Sequence, residues 1–437
     1  MAAVATLMVL ALAGCGGVPA SDRPSAALLV PASPSPWRED FGDPVLRDLL
    51  RRADLANLDV KTALARLELA NADAALAHAD RALRVQIGVA GAIGGETFSR
   101  ARAGASPTLE TVSDVDLWGG LRQGGAAARS EIAAVTADIG AARSLVAAQT
   151  VTAYVALRAA QGGQGSAERR SAIASRRLDM VRTRAANGAA DADAVMQAEV
   201  ALAETVAARH EVDEEVLIQL GRLKALVGER GDLQLAAAPL PELPRARAVE
   251  VGSDSVDARP EVQAAFARLH AADARRAQLL ALTRPQFQVV AALGAPDAAI
   301  STLLDVRALA WAVAGTLTHT MLDGGAGRAR VARASAEADV AELAWRKAVL
   351  DGWIDIQMAV IRLASAETAE AASLGRLGQS RTHLALVERR HDEGVADGVA
   401  VADAQMALEE ADLALAQARS RVLASWIQRR WAAGEPT

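Results

Sequence analysis

Two stretches 205 residues apart, Asp116-Leu117-Trp118-Gly119-Gly120 and Met321-Leu322-Asp323-Gly324-Gly325, make the same junction. An alternating run precedes each, and an Ala-rich run of helical period, far longer than an ordinary globular helix, follows. The glycines that close the two long runs, Gly188 and Gly394, are 206 residues apart. Shorter echoes support a duplication. Ala65-Arg66-Leu67 returns as Ala267-Arg268-Leu269, and Arg84-Val85-Gln86 as Arg284-Pro285-Gln286. Similar offsets at several landmarks restrict the chain to two like halves, each reading helix, two strands, long helix, tight turn, shorter helix.

The halves are expected at 44–227 and 258–437, joined by an irregular Gly/Pro-containing linker at 228–257. Hydrophobic residues make up 51% of the chain, yet aromatics are only 3%. Such a chain packs long helices closely instead of filling a wide globular core. The first long helix is predicted at 125–186, with Ile132, Val135, Ile139, Ala142 and Val146 as a coiled-coil seam. Gly162-Gly163-Gln164-Gly165 reads as an interruption of it; no Lys-Ser/Thr follows, so it is not a phosphate loop. The return helix starts at Asp191 or Asp193 and runs to 227. The second hairpin is expected at 325–390 and 399–430. Asp43 caps a helix that opens at Pro44 and continues through Asn57 to 83; Arg259-Pro260 opens its counterpart.

Helices rise 1.5 Å per residue, so the long ones span roughly 90 and 100 Å. The return helices are about half that, and stacking them end to end on the pre-strand helices makes up the difference. The lengths pair 191–227 with 259–282, and 399–430 with 57–83. The result is a wall of four antiparallel columns with strands at one end and turns at the other.

In the strands, Val85, Ile87, Val89 and Ile93 alternate with Gln86, Gly88, Ala90 and Gly94. After a loop at 99–106, Leu109, Val115 and Leu117 alternate with Glu110, Asp114 and Asp116. Phe287, Val289, Ala291 and Leu293 form one face of a third strand; Trp311, Val313, Leu317 and Met321 form one face of a fourth. An apolar face backed by acidic and small residues suits a wall with water on one side only. A sheet buried inside an α+β domain is the alternative, and the acidic face argues against it. Four strands cannot close a membrane barrel, and open edges are not tolerated in lipid, so copies must associate.

The apolar run 2–13 is too short to span a bilayer and reads as a signal-peptide core, with residues 1–14 removed. Leu12-Ala13-Gly14-Cys15 then looks like a bacterial lipoprotein signal that leaves Cys15 acylated at the head of a Pro/Ser-rich tether, 15–43. A plain signal peptide with a chance cysteine is the other reading. Cys15 is the only cysteine, so no disulfide forms within the chain. The six histidines are scattered without metal-ligand spacing, and no nucleophile elbow, dinucleotide fingerprint or P-loop occurs. A net charge of −6 gives no case for nucleic acid. No enzyme, metal or cofactor is expected beyond the lipid on Cys15.

Taken in order, these residues resemble the TolC/OprM-like outer-membrane factors, in particular the lipoprotein, NodT-type branch of RND efflux systems. The resemblance is carried by the lipobox at Cys15, Trp37 with Phe41-Gly42-Asp43-Pro44, Asp116-Leu117-Trp118-Gly119 and Tyr154. Arg259-Pro260-Glu261, Leu322-Asp323-Gly324-Gly325, and Gly394-Val395-Ala396 leading to Ala402-Asp403-Ala404-Gln405 continue it. It implies an α+β membrane protein: a long α-helical coiled-coil barrel, and four strands per chain completing a trimeric twelve-stranded barrel in the outer-membrane lipid. The implied partners are a periplasmic adaptor and an inner-membrane RND-type pump, with the chain as a passive exit duct.

The family closes its periplasmic end with aspartate rings near the second turn. Asp403, nine residues after Gly394, matches one such position, while Ala400 departs from another. Asp403 is therefore the expected gate residue, against an ordinary solvated aspartate. Gly188, Ala189, Ala190 and Gly394, Val395, Ala396 match the adaptor-contacting tips; their plainer role is to reverse the chain. The competing functions are a periplasmic adaptor lipoprotein, which would show one hairpin between β-rich halves, and a structural periplasmic coiled coil, which would need no strands.

Overall fold

The computed structural model describes residues 41–94, 102–243, 254–294 and 310–434. In chain order these form α1 (Pro44–Ala56), α2 (Leu58–Ala79), β1 (Arg84–Gly94), β2 (Arg102–Val115), α3 (Gly120–Ala186), α4 (Ala192–Leu226), α5 (Asp254–Asp257) and α6 (Pro260–Leu282). Then come β3 (Gln286–Gly294), β4 (Ala310–Thr318), α7 (Ala326–Asp392) and α8 (Gly398–Ala432). The duplication is evident in the element lengths: α3 and α7 each have 67 residues, and α4 and α8 each have 35.

The four strands form one antiparallel sheet in the order β1-β2-β3-β4, so β1 and β4 each have a single neighbour among the described residues. The register carries the sequence alternation across every ladder. Ile87 pairs with Leu109, Leu109 with Leu293, and Leu293 with Trp311. Gln86 pairs with Glu110, and Glu110 with Ala292. One face is therefore mostly apolar, broken by Thr111 and Ser113 of β2, and at the edge strands it is exposed, with Trp311 79% and Ile87 65% accessible. The other is polar or small apart from the Val112–Val290 pair, and Gln288 Nε2 donates to Asp114 Oδ1 at 2.9 Å.

Strand ends differ from the sequence reading. Asp116, Leu117 and Met321 lie beyond their strands, in the junctions. Asp116 instead accepts from the amides of Leu121 (3.2 Å) and Arg122 (2.9 Å) at the start of α3, where helical N–H groups have no partner of their own. That cap starts α3 at Gly120, five residues before the expected position. β2 begins at Arg102, inside the expected loop, because β1 offers it a pairing partner out to Gly94. Gly119 and Gly325, the residues before α3 and α7, have φ of 78° and 90°, a conformation that favours glycine.

Two helix expectations also change. The pre-strand helix breaks at Asn57 and ends at Ala79. The Gly162-Gly163-Gln164-Gly165 stretch does not interrupt α3. A Cβ on Gly163 would come within 3.5 Å of Val212 in α4 and 3.6 Å of Leu413 in α8, so close packing against both neighbours offsets the weak local propensity.

The long helices each run about 100 Å. α3 packs against α2 and α4 on one side and α6 and α8 on the other; α7 packs against α6 and α8. The wall is thus ordered α2/α4, α3, α6/α8, α7. This reverses the stacking expected from lengths alone, since the two candidate sums are nearly equal. End contacts decide the pairing. Asn57 Nδ2 donates to Leu226 O at 3.1 Å, joining α4 to α2, and Arg259 Nη1 reaches Ala432 O at 3.5 Å, joining α8 to α6.

The principal core lies at these junctions. Leu46 and Leu49 of α1, Tyr154 and Leu157 of α3, Leu223 of α4 and Ile427 of α8 are fully or almost fully buried together. Phe41 meets Trp426 edge-on at 5.5 Å. Elsewhere the columns are held by small helix-to-helix contacts, as the Ala-rich composition implies.

Candidate functional site: the turn end and the waist

At the end away from the strands, α3 returns as α4 through Gly188 (φ 72°), and α7 returns as α8 through Gly394 (φ 75°). The amide of Ala189 donates to Arg184 O and that of Val395 to Arg390 O, both at 2.8 Å. These are the paired C-terminal bonds that glycine-closed helices make. Asp191 and Asp397 cap the return helices by accepting from the amides of Ala194 and Ala400, each at 2.9 Å. His391 Nδ1 lies 2.9 Å from Ala396 O and braces the second turn. Val395 projects, 64% exposed.

Asp403 sits two turns into α8, and Arg177 of α3 donates Nε to its Oδ1 at 2.6 Å. The pair belongs to a ladder. Arg169 meets Glu409 at 2.7 Å, Arg170 meets Glu410 at 3.5 Å, and Arg184 meets Asp397. Arg170, Arg177 and Arg184 are seven residues apart, so they form one stripe along α3. That spacing was visible in the sequence; its acidic partners on α8 were not assignable without the fold. The Asp403 carboxylate remains 54% exposed, so the bond is a weak, water-screened one.

The waist carries a second polar cluster. Tyr154 donates its hydroxyl to Asp43 Oδ2 at 2.5 Å and accepts from Arg158 Nη2 at 2.9 Å. Arg158 and Gln161 continue to the carbonyls of Ala236 and Leu235, pinning residues 232–240 across the helices as a strap. Burial, and then the carboxylate of Asp43, push the Tyr154 hydroxyl up to about 12. Arg259, 4% exposed, donates to Gly352 O at 3.2 Å and Asp355 Oδ2 at 3.1 Å, with Trp431 beneath it at 5.2 Å. Trp118 donates Nε1 to Pro285 O at 2.6 Å and so ties the β2–α3 junction to the α6–β3 link.

Cys15 lies outside the described residues. Among those described, no group of three or more His, Cys, Asp or Glu is placed to hold a metal, and no helix is long and apolar enough to cross a membrane.

A sheet with one apolar face and two open edges, joined to a wall of helices about 100 Å long, defines a stave of a larger β-barrel and helical tube. Residues 49–229 and 251–435 match the family model of the outer membrane efflux protein. The chain belongs to that family: it is an outer-membrane efflux channel with a periplasmic helical extension, and not an adaptor. It is 26% identical over 433 residues to the outer membrane protein OprJ of Pseudomonas aeruginosa, covering 92% of this chain and 88% of that one. It is 24% identical to the toluene efflux pump outer membrane protein TtgF of Pseudomonas putida, covering 85% of this chain and 79% of that one. In fold it is similar to the outer-membrane channel OprN, with a TM-score of 0.82, 24% identity and 92% of each chain covered.

Proposed function

We propose that three copies of the chain form a passive exit duct, docked at its turn end on a periplasmic adaptor and an inner-membrane RND-type pump. The observation that carries the assembly is the sheet. Its mostly apolar face crosses all four strands, yet β1 and β4 each leave an edge that lipid would not tolerate. Three such sheets supply twelve strands, enough to leave a passage that eight would fill with side chains. The small and polar residues of the opposite face then line water. The mass of the purified protein in detergent and its conductance in planar bilayers test this. A monomer that never conducts would refute it.

The tips Gly188, Ala189, Ala190 and Gly394, Val395, Ala396 are the adaptor contacts in this reading, and the acylated Cys15 adds a lipid anchor, checked by the mass of the mature N-terminal peptide. Asp403 gates the duct. Its bond to Arg177 ties the second hairpin to the first, and such exposed bonds contribute only about 0–1 kcal/mol each, weak enough to open. Asp403→Ala should raise single-channel conductance and weaken cation preference. Unchanged values of both would remove Asp403 from the gate.

A further inference from the structure

One cavity of about 620 Å³ lies at the waist, a size typical of small-molecule sites. Its lining comes from α3, α4, α7 and α8. α4 and α7 are the outer columns of the wall at this height, so a cavity that touches both lies on the concave side. Tyr154 and Arg158, which hold the strap, are two residues out of step with the lining residues Thr152 and Ala156, about 200° round α3. The strap therefore covers the opposite face, and the cavity opens toward the enclosed space.

Its chemistry is specific. Leu145, Leu226 and Met358 supply apolar surface. Gln219 is 2% exposed; its Nε2 donates to Glu215, and its Oε1 has no donor among the described residues. That oxygen is closed to solvent, so Gln219 contributes to the wall of the cavity and not to ligand contact. Arg222 also lines the cavity and has no ion-pair partner among the described residues; Arg362 meets only the neutral Gln428, at 3.3 Å. The one lining carboxylate, Asp355, is engaged by Arg259, so the two guanidiniums are left to set the sign of the site.

We infer that this cavity is a binding station for an amphiphilic organic anion. An apolar body would rest on Leu145, Leu226 and Met358, and a carboxylate or similar group would meet Arg222 and Arg362. The inference rests on the duct reading for its placement on the transport path, but not for the binding itself.

The test uses the purified full-length protein in detergent and calorimetric titration with 6-hydroxy-2-naphthoate, against 2-naphthylmethylammonium as a cation of similar size. The naphthoate should bind and the ammonium should not. Arg222→Gln with Arg362→Gln should weaken naphthoate binding about tenfold, the scale of a charge-assisted bond, whereas lysine at both positions should keep most of it. Equal binding of both probes, or no loss in the glutamine variant, overturns the proposal. If that variant fails to assemble, the comparison of probes on the unaltered protein still decides. Bilayer conductance without probe separates the two readings: conduction with no naphthoate binding sinks only the station, and binding with no conduction sinks only the duct.

Discussion

Replacing Arg259 by alanine should loosen the waist without touching the turns. The guanidinium is 4% exposed and joins three elements: Gly352 O and Asp355 on α7, and Ala432 O at the end of α8. The Gly352 bond is a charge-assisted one to a buried carbonyl, worth about 1.5–3 kcal/mol. The Ala432 bond, at 3.5 Å, is at the limit of useful length and contributes little. Asp355 is 44% exposed, so water screens that pair to about 0.5–1 kcal/mol. Stacking on Trp431 at 5.2 Å adds about 0.5–1 kcal/mol. Recovering the solvation of the buried cation offsets part of this, leaving a net loss of about 3 kcal/mol. Every 1.4 kcal/mol is tenfold, so local opening should become about a hundred times more frequent. Hydrogen–deuterium exchange of the full-length protein reads this directly. The α7 segment around Gly352 should exchange about a hundredfold faster and the last turn of α8 about two- to fivefold faster, while the tips at Gly188 and Gly394 keep their rates. Arg259→Met, which fills the space without the bonds, should recover only a small part of the protection. Unchanged exchange at the end of α8 would refute the idea that Arg259 fastens α8 to α6.

The Tyr154 hydroxyl, raised from 10 to about 12, keeps its proton in the folded protein at a pH where the unfolded chain has lost it. Its contribution is complete below pH 10 and disappears as the pH passes 12, so denaturant midpoints should fall across that interval, and Tyr154→Phe should flatten the fall. Asn57→Ala removes both the cap on α2 and the bond to Leu226 O. A loss of about 1–2 kcal/mol is expected by denaturant titration, whereas Asn57→Asp should retain the cap and lose only the junction.

Much of this architecture could be read along the chain because its signals are local. Strand alternation depends on a two-residue period, and the register of the sheet preserves it from Ile87 to Trp311. Helix ends at Asp43, Asp191, Gly188 and Gly394 follow from capping and from the glycine turn, which involve residues only a few positions apart. The resemblance, too, was carried by short motifs in order, and the family match agrees with it. The readings that failed were those in which a local signal competed with a distant partner. Gly162–Gly165 looked like a break, but Val212 and Leu413 pack against Gly163. Asp116 continued the alternation, but the free amides of α3 claimed its carboxylate.

Sequence by itself determined the four strands, the two long helices with their return helices, the duplication and the predominantly apolar face of the sheet. Tertiary structure alone decided which short helix continues which. The two stacking schemes have almost the same length, and they are separated only by contacts such as Asn57 to Leu226 and Arg259 to Ala432, 169 and 173 residues apart in the chain. It also placed Arg177 against Asp403, and it gathered Gln219, Arg222 and Arg362 round one cavity. Such juxtapositions arise from how columns pack side by side, and no periodicity within a single helix encodes which neighbour it will meet.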